Sequence, residues 1–416
     1  MGISLLVKNC SELITLAGKH PRKGVEMENI GIIKDGAVAI SNEGIEYVGK
    51  TDEVIKKVEI TPKTEIIDAT GKLVMPGFVD PHTHLVFAGT RETEFELRLK
   101  GLSYEEIAKR GGGIKNTVRA TREASEQELL ALAKIRLDRI LEWGTTTVEI
   151  KSGYGLDFEN EMKLLRVIHE LNRIHPMEIA STFLGAHEVP EEQSKAEYIN
   201  LIKGMIVEVS KMSLAEFCDV FCERGVFSYD ESLEILKFAK RHKLGLKVHA
   251  DELSTSGGSL LAGKLGAISA DHLVYPSPEG LQLMKKRGVV SVLLPGTSLT
   301  LKSKNFAPAR KLIDMEIPVA LATDFNPGTC LIEGMVVIIG LGCLLLGMTP
   351  AETITSSTIN AACAIGRGDR IGSIEKGKQA DIIILNIPNY KHLSYRFTTN
   401  FVKYVIKKGK VVVRTE

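Results

Sequence analysis

His82 and His84 stand two residues apart in Asp80-Pro81-His82-Thr83-His84. On an extended strand both imidazoles point to one side and reach a single cation. Alone, such a pair is as readily two ordinary surface or core histidines. His249 and Asp324, at the ends of other strand-like runs, tip the reading towards a metal site. Three nitrogens and one carboxylate oxygen suit Zn²⁺ or Fe²⁺ and leave room for a water. A cation held this way generates hydroxide near neutral pH and can polarise a carbonyl. Hydrolysis then needs a proton shuttle. Glu252, three residues past His249, is placed to take a proton from the water and give it to a leaving nitrogen. Asp324 can share that work, and Asp251 reads as structural.

Other polar residues gather at strand ends. His272 follows Asp271 and is suited to orienting the water or stabilising an oxyanion. His187 reads as a substrate hydrogen bonder. Arg91, in Gly89-Thr90-Arg91, can clamp a carboxylate bidentately; an ion pair with Glu92 or Glu94 is the plainer alternative. Tyr154, between Gly153 and Gly155, either offers its hydroxyl to a ligand or packs in the loop. His20, His169, His175, His242 and His392 fall in helices or end segments and read as structural. No Gly-x-Ser-x-Gly elbow is present. Cys218 and Cys222 belong to an apolar strand, and Cys330, though near Asn326, is not a convincing nucleophile.

These residues need a scaffold that brings strand ends together. Short β-rich apolar runs recur at 73–80, 145–150, 178–184, 217–222, 245–249, 267–270, 289–294 and 318–322. Most are followed by a helix-like segment, such as Glu159–Ile174, Glu231–His242, Pro278–Lys286 or Ala307–Asp314. Eight strand–helix units predict a closed (β/α)8 TIM-like barrel over 76–366, whose catalytic face lies at the C-terminal strand ends. A doubly wound open sheet is the main alternative. Residues 1–75 and 367–416 read instead as short strands separated by turns. They predict one small β-sandwich domain built from both chain ends. Gly111-Gly112-Gly113 lies among Lys109, Arg110 and Lys115 and lacks the ending of a phosphate-binding loop, so it reads as a mobile loop.

Composition narrows the partners. The 416 residues carry 53 Lys and Arg against 52 Asp and Glu, a formal charge of +1. That balance argues against nucleic acid or a polybasic membrane surface as the main partner, and a small-molecule substrate is what the family resemblance below implies. The six cysteines show no paired framework, which fits a reducing cytoplasm. The apolar start Ile3–Val7 is too short for a signal peptide. The longest apolar run, Met335–Met348, is too short to span a bilayer and predicts a buried helix, with a subunit contact as a lesser possibility.

The run Val74–His84 resembles the metal strand of the amidohydrolase superfamily, and Ile371–Asp381 resembles its closing β segment. Finer matches are similar to the imidazolonepropionase family. They are Phe87–Arg91, Gly111–Ile114, Lys151–Leu156, Phe183–His187, His249–Glu252 and Asp324–Gly328. Thr297–Phe306 and Met335–Met348 are less typical and are expected to miss the ligands. The resemblance implies hydrolysis of 4-imidazolone-5-propanoate to N-formimidoyl-L-glutamate in histidine degradation. It implies His82, His84, His249 and Asp324 as ligands of one Zn²⁺ or Fe²⁺/Fe³⁺ ion per chain, and a homodimer. It places Arg91, Tyr154, His187 and Glu252 around the substrate, with Asn326, Gly328 and Thr329 contacting substrate or product. Glu223, not a lysine, ends the fourth strand, so a single metal is expected. The rivals are a purine or pyrimidine aminohydrolase, which needs no carboxylate clamp, and a non-catalytic binding protein on the same fold.

Overall fold

Each of the eight apolar runs contributes a parallel strand to one sheet in the computed structural model, which describes residues 2–42, 44–102, 106 and 112–415. The strands are β1 Phe78–Asp80, β2 Thr145–Lys151, β3 Glu178–Ala186, β4 Phe217–Cys222, β5 Gly245–Ala250, β6 Ser269–His272, β7 Val290–Leu293 and β8 Val319–Leu321. They pair in sequence order from β1 to β8. The sheet closes beyond the formal strand ends, which excludes the open-sheet alternative. Thr83 bridges Phe325 in parallel. The His84 N–H donates to the Phe325 carbonyl at 2.9 Å, and the Asp324 N–H donates to the His82 carbonyl at 3.0 Å. The seam of the barrel therefore runs through three of the proposed ligands.

Helices join the strands as the periodicity predicts. Examples are Phe158–Ile174, Tyr229–Arg241, Pro278–Arg287 and Ala309–Asp314. Serine-led capping boxes fix several starts, as at Ser194 with Glu197 and Ser228 with Glu231. Met335–Leu346 is the expected helix and is mostly buried. Among the described residues no helix is long and apolar enough to cross a membrane. Gly111, Lys109 and Arg110, predicted to form a mobile loop, lie outside the described residues.

The first run needs a correction. Residues 73–80 are not one barrel strand. Leu73–Pro76 pairs antiparallel with Ile382–Leu385 and parallel with Glu12–Ile14, while Phe78–Asp80 enters the barrel. Both pieces are buried, so their hydrophobicity is continuous and hides the break. Gly77 is the joint: a Cβ there would overlap the Thr146 side chain. The chain ends form two sheets. One orders Gly44–Lys50, Gly36–Ser41, Leu5–Cys10 and Glu65–Asp68. The other orders Lys410–Arg414, Val402–Lys407, Ile382–Leu385, Leu73–Pro76, Glu12–Ile14 and Ile32–Ile33. Val7, Ile40 and Ile67 of the first pack with Val74, Ile384 and Ile406 of the second, giving a sandwich core separate from the barrel's.

Candidate active site

The predicted polar residues meet at the C-terminal mouth of the barrel. A cavity of about 370 Å³ opens there. His84, Arg91, Tyr154, His187, His249, Glu252, His272, Asp324, Asn326 and Thr329 line it, with Ile114, Phe221, Leu253 and Leu301 as apolar wall. Two predicted residues do not line it. His82 lies beneath, fully buried. Gly328 lies against Arg91, and a Cβ at that position would overlap the guanidinium.

The seam carries His82 and His84 on one side and Asp324 on the other. Asp324 Oδ1 is 3.6 Å from both His82 Nε2 and His84 Nε2. His249, from β5, brings its Nε2 within 3.4 Å of His84 Nε2. Carboxylates behind the rings set their orientation: His82 Nδ1 lies 2.6 Å from Asp271 Oδ2, and His249 Nδ1 lies 2.9 Å from Asp219 Oδ2. With the His82 Nδ1–H directed at Asp271, its Nε2 keeps the lone pair for the cavity side, while His249 Nδ1 lies close to Asp219 without hydrogen-bond geometry and its Nε2 also faces the cavity. The His82 Nε2 atom is buried with no hydrogen-bond partner among the described residues. A buried lone pair without a partner is costly unless something else meets it. Three imidazoles, one carboxylate and that orphaned atom fit a metal ion. His82, Glu149 and Asp271 also cluster closely enough to hold a cation. There, however, the Lys151 Nζ already sits 2.8 Å from Glu149 Oε1 and 3.5 Å from Asp271 Oδ2, so positive charge is in place.

Burial, reinforced by nearby positive charge, holds His82, His84 and His272 well below the ordinary imidazole range. His187 is pushed down to about 3, chiefly by burial. Its Nδ1 lies 3.0 Å from the Gly153 carbonyl, so Nδ1 carries the proton and Nε2 accepts. Asp324 is pushed up to about 6 by burial, against the 2.5 Å hydrogen bond it accepts from Thr297 Oγ1. Glu252 is held well above the carboxylate range, first by burial and then by Asp324 and Glu223. Its Oε2 is 3.5 Å from His272 Nε2, a contact too long to be a strong hydrogen bond. Asp251, His272 and Asp324 have left-handed φ of 52°, 75° and 53°. Such non-glycine residues cost on the order of 1–3 kcal/mol each and concentrate where function requires them.

The loops are shaped by buried carboxylates, of which Glu161 had no part in the sequence reading. Glu161 accepts from the N–H groups of Gly153, Gly155 and Leu156, folding the turn that presents Tyr154. Glu223 turns away from the cavity and accepts from the Leu253 N–H at 2.9 Å and from Ser254, fixing the segment that starts at Glu252. Asp251 accepts from the N–H groups of Ser256, Gly257 and Ser259, consistent with a structural part. Arg91 is buried, and its Nε donates to Glu94 at 2.8 Å. The ion pair with Glu94 and a place in the cavity wall thus coexist. Asn326 mainly braces its own loop, accepting from the Gly328 and Thr329 N–H groups. The segment 297–306 does not miss the ligands: Thr297 holds Asp324, and Leu301 lines the cavity. Cys330 is buried, and its thiol is pushed up by that burial.

A profile of the amidohydrolase family matches residues 73–412. An imidazolonepropionase of Geobacillus kaustophilus is 50% identical over 415 residues, covering 98% of both chains. One from Alkaliphilus oremlandii is 49% identical over 417 residues, covering 99% of both. The chain belongs to the imidazolonepropionase family. Among solved structures, a 5-methylcytosine deaminase from Klebsiella pneumoniae shares the fold at 16% identity and a TM-score of 0.74, over 99% of this chain and 98% of that one. An adenosine deaminase from Xanthomonas campestris with bound zinc shares it at 19% identity and a TM-score of 0.70, over 99% and 93%. At those identities the imidazolonepropionases inform on family, and the deaminases on fold alone.

Proposed function

We propose that the chain hydrolyses the ring amide of 4-imidazolone-5-propanoate to N-formimidoyl-L-glutamate, a step of histidine degradation. The observation that carries this reading is a buried arginine in the wall of a cavity that also converges three imidazole Nε2 atoms and a carboxylate. His82, His84, His249 and Asp324 would hold one divalent metal, zinc or iron. Bound there, such an ion supplies Lewis acidity and lowers the pKa of a nearby water.

The remaining groups divide the work. Arg91, held at Nε by Glu94, pairs its outer guanidinium edge with the propionate. Tyr154 and the apolar wall pack the ring, and His187 Nε2 accepts from a ring N–H. Asn326 and Thr329 contact the substrate from the β8 loop, and Gly328 leaves room for Arg91. The attacking water loses its proton to Glu252. Its oxygen joins the ring carbonyl carbon, and the carbon–nitrogen bond of the amide breaks. Glu252 then returns the proton to the departing nitrogen, which becomes part of the formimidoyl group. Glu252 stands in the cavity wall with its Oε2 3.5 Å from His272 Nε2, and burial beside Asp324 and Glu223 raises its carboxyl above the ordinary glutamate range. Neutral His272 orients the water or meets charge developing on the oxygen.

We further read residues 1–75 and 367–416 as one domain supporting a barrel of 76–366, in a cytoplasmic homodimer. The six free cysteines suit a reducing compartment. Leu344, exposed on an otherwise apolar helix packed near the exposed Tyr395, suits a subunit contact. Ultraviolet monitoring of imidazolone-propanoate with and without a chelator tests the function. Metal-dependent loss of ring absorbance with formimidoyl-glutamate as product is expected. No turnover by protein carrying one metal per chain would move the assignment to another cyclic amide or amidine.

A further inference from the structure

One buried ammonium joins the supports of two proposed ligands from opposite parts of the barrel. Lys151 closes β2 and is fully buried. Its Nζ lies 2.8 Å from Asp219 Oδ2 and 3.5 Å from Asp271 Oδ2. These are the same oxygens that face His249 Nδ1 at 2.9 Å and His82 Nδ1 at 2.6 Å. The other hydrogen bond of Lys151 runs 2.8 Å to Glu149 Oε1. Lys247 takes the other oxygen of Glu149 at 3.2 Å and donates to the Pro81 carbonyl at 3.1 Å, next to His82 in the chain.

Barrel interiors are ordinarily filled by branched apolar side chains. Here β2, β4, β5 and β6 place five ionic side chains at the centre, all fully buried. A buried ion group of this kind is poor evidence for stability, because apolar residues of similar volume often do as well or better. Its value lies in geometry: the Lys151 ammonium donates to Glu149 and Asp219 and pairs electrostatically with Asp271, and the last two carboxylates stand directly behind imidazoles.

We propose that Lys151 is a positioning residue for the metal site. By fixing the Asp219 and Asp271 carboxylates, it sets the tautomer and ring plane of His249 and His82, so that both Nε2 atoms aim at one point. The inference rests on reading His82, His84, His249 and Asp324 as metal ligands. It assigns Lys247 a secondary part, holding Glu149 against Lys151.

The test uses the full chain stripped of metal. Wild type and Lys151→Met are titrated with Zn²⁺ against a competing chromophoric chelator, and their visible spectra are recorded with Co²⁺. Lys151→Met is expected to weaken Zn²⁺ binding by roughly 10- to 100-fold, the range for outer partners of metal ligands, and to alter the Co²⁺ spectrum. Asp271→Asn is expected to act in the same direction. The Lys151→Met/Asp271→Asn double variant should lose less than the product of the two single losses, because both act through one connection. A merely structural lysine would lower the melting temperature while leaving Zn²⁺ affinity and the Co²⁺ spectrum at wild-type values; that result overturns the proposal. If Lys151→Met does not fold, Lys151→Gln and Asp219→Asn are read by the same criterion. Wild-type protein that takes up no Zn²⁺ removes the ligand reading and the proposal with it. Wild-type uptake with undiminished variant affinity removes the proposal alone.

Discussion

The two ends of the barrel bury carboxylates in opposite company. At the base, Glu178 opens β3 and faces three cations. Arg367 lies 2.7 Å away, Lys407 lies 3.8 Å away, and Arg370 also pairs with it. Burial would raise its pKa, but Lys407, Arg367 and Arg370 outweigh burial and push it down to about 2. At the mouth, Glu252 is largely buried beside neutral His272 with Asp324 and Glu223 as its charged neighbours, and it is held well above the usual range. The same side chain is matched by cations at one end and faces other carboxylates at the other. Matched charge ties the barrel to the sandwich. Unmatched charge is what a reactive site needs, and it is tolerated only where the strand ends hold it rigidly.

This contrast can be broken most severely at the mouth. His249→Ala removes a nitrogen from the proposed ligand set, and metal analysis should find far less than one ion per chain, with no measurable turnover. Retained metal and turnover would contradict the ligand set. Arg91→Ala should raise KM by about 10- to 100-fold with a smaller change in kcat, the effect of losing a charged hydrogen-bonded partner. An unchanged KM would remove the propionate clamp.

Glu178→Gln sharpens the other side of the comparison. Its folded pKa of about 2 lies below the ordinary 4.5, so it stabilises the fold above the ordinary value, and that contribution fades as pH falls towards 2. The variant should be less stable by about 3 kcal/mol at pH 7, with the gap closing between pH 4.5 and 2 and turnover per folded chain unchanged. Denaturant melts across that range check the sign; a gap that widens in acid would contradict the assignment. Gly328→Ala, which crowds the Arg91 guanidinium, should raise KM less than Arg91→Ala does.

What was legible in the sequence follows the same division. His82, His84, His187, His249, His272 and Asp324 were visible because polar residues at the ends of apolar parallel strands have few structural reasons to be there. The supports were harder to see. Asp219 sits inside the run Phe217–Cys222, and Glu149 and Lys247 inside similar strands. A lone charge in a buried parallel strand was the available signal. Its partner comes from another strand, so the pairing is a property of the closed barrel. Glu161 resembled an ordinary acid near a helix start and Glu223 was read only as the end of the fourth strand, although they shape the Tyr154 and Glu252 loops. The break at Gly77 was hidden because two strands buried in different cores share one apolar run.

Glu252→Gln tests the central claim most directly, with metal content and turnover measured on the same preparation. Glutamine keeps the shape and cannot carry the proton. The expected result is one metal per chain and intact substrate binding, with turnover reduced by roughly 10²- to 10⁴-fold. Near-normal turnover with metal in place would contradict the claim that this carboxyl moves the proton.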